Sequence, residues 1–154
     1  LDNRVTFPRV LNLPLAQGLE NYTYTPYYLA ALVEHSGGMN INSGHYVAYV
    51  PSDDQGGFVE INDNQIKNIT GNKMDRVQAG VVGIFYTANR VSVSIDAIQG
   101  IQNTANTCFA NALLQAWRVS GVGAWLAQYP QNNNSNTTRD DIIEIFNSLA
   151  PRAL

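Results

Sequence analysis

The strongest constraint on this chain is a change of period. Up to Tyr86 its apolar residues alternate or run in short blocks, and after residue 107 they recur at helical spacing. Val5 and Phe7 before Pro8, then alternating Tyr27, Leu29, Ala31 and Val33, read as strands, as do His45 to Val50, Phe58 to Ile61 and Val81 to Tyr86. Turn-rich stretches separate them: Ser36-Gly-Gly-Met-Asn, Pro51 to Gly57, and Thr70-Gly-Asn. A meandering antiparallel sheet is expected. From Cys108 the character is helical, with Phe109, Leu113 and Trp117 on one face. A second helical piece is expected over 122–128, before Pro130. A third is marked by the capping pair Thr138 and Asp141 and by the stripe Ile142, Ile145, Phe146 and Leu149. Between the halves, 88–99 alternates at Val91, Val93 and Ile95 and reads equally as strand or linker, and 131–138 reads as a solvated polar loop.

The expected class is therefore α+β, an antiparallel sheet packed on a small helical part. The expected organisation is one domain over 1–154, with the sheet in 1–87, a connector in 88–99 and the helices in 100–154. A chain of 154 residues with 45% apolar composition can bury one such core.

Charge and cysteine usage narrow the function. A net charge of -3 offers neither the basic face of a nucleic-acid binder nor a polybasic membrane anchor. No apolar run approaches 18 residues, so no membrane span is expected. One cysteine and two histidines exclude an internal disulfide and an ordinary four-ligand zinc site. The expectation is a free thiol in a reducing, cytoplasmic or nuclear compartment, with no cofactor and no metal. Four Asn-x-Ser/Thr triplets, at Asn21, Asn68, Asn133 and Asn136, are what chance places in an Asn- and Thr-rich chain.

Two segments carry candidate chemistry. In Gly100 to Gln115, Cys108 opens a helix, where the positive end of the macrodipole stabilises thiolate. Asn103, five residues upstream, and the backbone N–H groups of the turn entering the helix can donate to an oxyanion. In Ser43 to Val50, His45 stands at the mouth of a strand after a glycine-rich loop. The next strand, Phe58 to Asp63, ends in two polar side chains that a hairpin returns beside His45. Either Asn62 or Asp63 can then accept from the imidazole N–H and orient the ring.

Together these segments resemble the ubiquitin-specific proteases, papain-like cysteine isopeptidases that cleave after the Gly-Gly tail of ubiquitin. Asn103-Thr-Ala-Asn-Thr-Cys-Phe-Ala-Asn111 with Leu114-Gln115 is similar to the cysteine box. Tyr27, Leu29, Ala31, His35, Ser36 and Gly37, then Gly44 to Val50, Phe58 and Asn62-Asp63 are similar to the histidine box. Val5, Phe7-Pro8, Leu11 and Leu13 fit the segment before it, and Ile84-Phe-Tyr86 closes it. The resemblance implies Cys108 as nucleophile, His45 as base, Asn62 as orienting residue and Asn103 as oxyanion donor. Asp63 is implied to support the oxyanion site or its water, and His35 to be structural. Gly38, Ser43, Gly44 and Tyr46 are implied as walls of a narrow tunnel that only a glycine tail threads, with Glu34, Asp53 or Asp54 meeting an arginine of that tail.

The order of the boxes is reversed relative to that family, which implies a circular permutation, with new termini between thumb and palm. The fingers' zinc-binding cysteine pairs are absent, implying a minimal palm-and-thumb enzyme. Ala105 replaces the family's glycine, Phe109 its tyrosine, and Val82 an aromatic residue. The implied function is a monomeric, thiol-dependent deubiquitinase whose partner is ubiquitin or a ubiquitin-like modifier. The alternatives are a polyprotein-processing protease of a virus or mobile element, and an inactive ubiquitin-binding module.

Overall fold

A computed structural model describes residues 4–16, 21–37, 43–53, 57–70 and 73–122, together with Trp125, Gln128, Asp141 and Glu144. Among the described residues, six strands form one antiparallel sheet: β1 (Val10–Ala16), β2 (Tyr22–Ser36), β3 (His45–Pro51), β4 (Phe58–Asn62), β5 (Gln65–Ile69) and β6 (Val81–Thr87). Strands β1 to β5 follow one another as a meander, and β6 returns to pair with β2. This is the expected α+β arrangement. Among the described residues, no helix is long and apolar enough to cross a membrane.

The sheet is covered on both faces, which explains why Leu29 to His35 are buried without a break. One face carries Ala31, Val33, Ala48, Val50, Val59 and Ile61 against helix α2 (Cys108–Ser120). The other carries Leu32, Val47, Tyr49, Phe58 and Ile69 against Val77 of helix α1 (Lys73–Gly80). Full burial of each large apolar side chain contributes roughly 1.5–3 kcal/mol.

Several expectations are corrected in detail. Leu29 does not share a face with Ala31 and Val33, because a register irregularity between Leu29 and Ala31 shifts the alternation and moves Leu29 to the opposite cluster. Val5 to Pro8 is not a strand. Its Val5 N–H donates to the Gln78 carbonyl of α1, and pairing begins only at Val10, beyond Pro8, which has no N–H. The first ninety residues are not all β-structure, since α1 interrupts them.

The connector is not a strand either. It makes one isolated bridge, Val93 to Ser52, and a 3-10 turn at Ile95–Ala97. Val93, Ile95 and Ile98 lie against the α2 face of the sheet, so their alternation reflects packing rather than strand pairing. Helix α2 starts at Cys108 as expected, but it turns Asn111, Ala112, Gln115 and Ala116 inward and leaves Phe109 57% exposed. Small Ala112 and Ala116 let the helix backbone approach the sheet where Phe109, Leu113 and Trp117 would hold it off. Val122, Trp125 and Gln128 of the second expected helical piece are helical, as are Asp141 and Glu144. The stripe from Ile142 to Leu149 lies outside the described residues.

Candidate active site

The two segments singled out in the sequence meet at one end of the sheet. His45 begins β3. Antiparallel pairing of Ala48 with Ile61 brings the end of β4 back beside it, and a two-residue turn, Asp63-Asn64, joins β4 to β5. Asp63 adopts φ 53°, a left-handed conformation that its short polar side chain tolerates. Asn62 Oδ1 lies 2.5 Å from His45 Nε2. An amide oxygen only accepts, so Nε2 carries the proton and Nδ1 is left as the acceptor nitrogen of the neutral ring. Of the two candidates for the orienting contact, Asn62 makes it. Asp63 stands farther off, with Oδ2 3.8 Å from the same nitrogen.

Asp63 instead gathers amide donors from the cysteine segment. Asn103 Nδ2 donates to Oδ2 at 3.0 Å, and Asn111 Nδ2 donates to Oδ1 at 2.7 Å. The backbone is clamped at the same turn, where the Ile101 N–H donates to the Asp63 carbonyl at 3.0 Å. Gly100 is required there, since a Cβ would meet the Asn64 Cα at 2.6 Å. The connector thus arrives against the hairpin that holds His45 and then enters the turn before α2.

That turn is organised by Asn103 and Thr107. Asn103 Oδ1 accepts from the Thr107 N–H at 3.0 Å, and the Thr104 N–H donates to Thr107 Oγ1 at 3.3 Å. Ala105 and Asn106 both have positive φ, 58° and 65°. The glycine that the resemblance leads one to expect at 105 would suit that conformation better than alanine. Cys108 follows, buried at the first turn of α2, a free thiol. Beside it, Phe109 meets Tyr46 edge to face, with ring centroids 6.4 Å apart. The residues directly following the thiol and the imidazole are therefore in contact.

His35, the second histidine, is buried and donates from Nε2 to the Ser43 carbonyl at 3.2 Å, while its ring packs against Tyr46 at 4.6 Å. It shapes the entry to β3. Gly44 has φ 135°, and a side chain there would strike the His35 ring and the Ser36 carbonyl. Tyr46 also lines an apolar cavity of about 370 Å³ with Val33, Val82, Gly83, Phe85, Phe109 and Leu113. Gly38 and Asp54 lie outside the described residues. Glu34 does not fit its expected role toward a substrate arginine, because it is buried and accepts from the Tyr49 hydroxyl at 2.5 Å. The sequence by itself assigns no role to Asn111 or Thr107. The helical spacing that puts Phe109, Leu113 and Trp117 on the inner face hides the inward position of Asn111.

A family model described as ubiquitin carboxyl-terminal hydrolase matches residues 1–86, more than half of the chain. The chain belongs to the ubiquitin carboxyl-terminal hydrolase family. The resemblance to ubiquitin-specific proteases drawn from the two boxes stands. The part matched to the ubiquitin carboxyl-terminal hydrolase model holds His45, Asn62 and Asp63 and ends before the cysteine segment.

Solved structures of the SAGA DUB module are similar over part of the chain. A yeast SAGA DUB module is 27% identical over 56% of this chain and 18% of that chain, with a TM-score of 0.39. The Ubp8/Sgf11/Sus1/Sgf73 module bound to monoubiquitin is 26% identical over 55% and 18%, also at 0.39. A further module of the same four proteins is 28% identical over 56% and 18%, at 0.42. The match therefore spans less than a fifth of each of those chains. No curated protein matches the chain.

Proposed function

We propose that this chain is a cysteine-type deubiquitinase that hydrolyses peptide or isopeptide bonds after the C-terminal glycines of ubiquitin. The observation that carries this reading is the His45–Asn62 contact, set within a family-matched hairpin and tied through Asp63 to the turn that opens the Cys108 helix. In the reaction, the Cys108 thiolate attacks the glycine carbonyl carbon and the oxyanion accepts from Asn103 and from backbone N–H groups of the turn. As the carbon–nitrogen bond breaks, His45 protonates the departing amine. Water then attacks the thioester, His45 takes its proton, and the thiol is restored. Asn62 holds the ring in the required tautomer throughout.

Gly44, Ser43 and Tyr46 wall the approach in this reading. The order of the boxes is read as a circular permutation, with the strand ending at Thr87 running through the connector into the cysteine segment. No cofactor is needed, one subunit carries the whole constellation, and a reduced thiol suits the cytoplasm or nucleus.

A ubiquitin bearing a thiol-reactive group at its C-terminus tests the reading. Wild-type protein is expected to be labelled once, and Cys108→Ala not at all, because Cys108 is the only cysteine. Folded wild-type protein that stays unlabelled while a small alkylator modifies it would overturn the ubiquitin assignment. Cleavage of a purely peptide substrate in preference to peptide-linked ubiquitin would favour a polyprotein-processing protease. Binding of ubiquitin without cleavage or labelling would favour an inactive module.

A further inference from the structure

Asn111 is the one buried polar side chain on α2 that bonds the histidine hairpin. It is 5% exposed and lies one helical turn after Cys108, on the same side of the helix. Its Nδ2 donates to Asp63 Oδ1 at 2.7 Å and, more weakly, to the Ile101 carbonyl at 3.5 Å. Asp63 is covalently next to Asn62, which accepts from His45, and its other oxygen accepts from Asn103. A single carboxylate thus meets the helix below the thiol, the turn above it and the hairpin that carries the base.

We infer that Asn111 is a positioning residue: by donating to Asp63 it sets the rotation and height of the Cys108 helix against the His45 hairpin. The inference rests on reading Cys108 and His45 as nucleophile and base. The physical basis is the fixed geometry of the amide–carboxylate bond, which is charge-assisted and partly buried. Small displacements between reacting groups lower reactivity steeply, so a bond that locks two elements together acts on chemistry without touching substrate. Apolar packing of Ala112 and Ala116 against the sheet is non-directional; of the directional bonds on α2, that of Gln115 goes to the Gln99 carbonyl of the connector and that of Asn111 goes to the hairpin itself.

The test reads the thiol directly, without ubiquitin. A cysteine paired with a histidine reacts with a small alkylator well below the ordinary thiol pKa of about 8.5, whereas an unpaired one does not. Wild-type protein is expected to be alkylated at Cys108 readily at about pH 6, Asn111→Ala about tenfold more slowly, and both at similar rates at about pH 10, where any accessible thiol is ionised. The exchange variant Asn111→Asp with Asp63→Asn restores a bond between the same two positions with donor and acceptor reversed. It is expected to recover most of the rate at about pH 6, whereas Asn111→Asp alone, which sets two carboxylates together, is not.

Asn111→Ala that melts earlier yet keeps the wild-type rate at low pH would overturn the inference and leave a merely structural residue. An exchange variant no better than Asn111→Asp alone, through misfolding or otherwise, would overturn it too. If wild-type protein itself shows no reactivity at low pH, the nucleophile–base pairing falls. If it does and Asn111→Ala matches it, only the positioning role falls.

Discussion

His45 and Asn62 are 17 residues apart in the chain and sit at adjoining ends of neighbouring antiparallel strands, with Nε2 2.5 Å from Oδ1. The contact selects one tautomer of the imidazole, and it is the one side-chain hydrogen bond Asn62 makes among the described residues. Asn62→Ala is therefore expected to lower kcat by about 10- to 100-fold, since it forfeits part of the acid–base contribution, and to leave the melting temperature nearly unchanged. Asn62→Asp keeps an acceptor in place and is expected to stay active. Asp63→Ala should lower turnover and melting temperature together, because Asp63 accepts from both Asn103 and Asn111. Steady-state kinetics beside thermal melts check all three; an Asn62→Ala enzyme with wild-type kcat would remove Asn62 from the site.

Asn103 bonds both Thr107 and Asp63 in this structure, and in the proposed reaction it also donates to the oxyanion, so its loss should show in stability and in turnover. Its Oδ1 organises the turn by accepting from the Thr107 N–H, and its Nδ2 donates to Asp63, leaving a second amide hydrogen for an oxyanion. Asn103→Ala is expected to lower kcat by roughly 100- to 1000-fold with little change in ubiquitin affinity. The lost turn bonds should also lower the melting temperature by about 2–4 °C, the equivalent of about 1 kcal/mol. Full turnover at a lowered melting temperature would assign Asn103 to the turn alone.

Ala105 stores strain at φ 58°. An L-residue with a Cβ in the left-handed region is disfavoured by about 1–2 kcal/mol, and glycine is not. Part of that gain is offset by the greater freedom of glycine in the unfolded chain, about 0.4–1 kcal/mol. Ala105→Gly is thus expected to raise stability by roughly 0.5–1 kcal/mol, read as a higher denaturation midpoint, and Ala105→Val to lower it. A destabilised Ala105→Gly would mean that the turn is held by something other than its dihedral preference.

Tyr49 connects stability to alkaline pH. Burial, the hydrogen bond to Glu34 and the nearby charges of Glu34 and Glu60 push its phenol far above the ordinary value of 10.0. The folded state then keeps a proton that the unfolded state releases, so stability is unaffected below about pH 10 and falls as pH rises beyond it. The fall approaches about 1.4 kcal/mol per pH unit for one such group. Tyr49→Phe is expected to flatten the alkaline decline. At neutral pH it should destabilise by about 1–3 kcal/mol, because buried Glu34 loses its hydroxyl donor. Urea midpoints across pH check this, and an unchanged alkaline slope would place the titration elsewhere.

Much of the architecture follows from the sequence by itself. The turn signals and the alternating or continuous apolar runs place β2, β3, β4 and β6, because a half-buried strand alternates and a strand covered on both faces is apolar without a break. The change to helical spacing places the start of α2 at Cys108, and the two boxes name Cys108, His45, Asn62, Asp63 and Asn103. The tertiary structure alone decided what those residues touch. Which of Asn62 and Asp63 meets the imidazole depends on hairpin register and on the left-handed turn at Asp63, neither of which a local pattern encodes. Glu34 is an acid like Asp53 in the sequence, yet pairing of β2 with β3 buries it under Tyr49. Phe109, Leu113 and Trp117 form a plausible inner face until packing shows that small Ala112 and Ala116 permit a closer approach to the sheet. With the helix seated that way, Asn111 reaches Asp63 across 48 residues of chain, because a long-range bond depends on how two elements pack and not on the residues near either one.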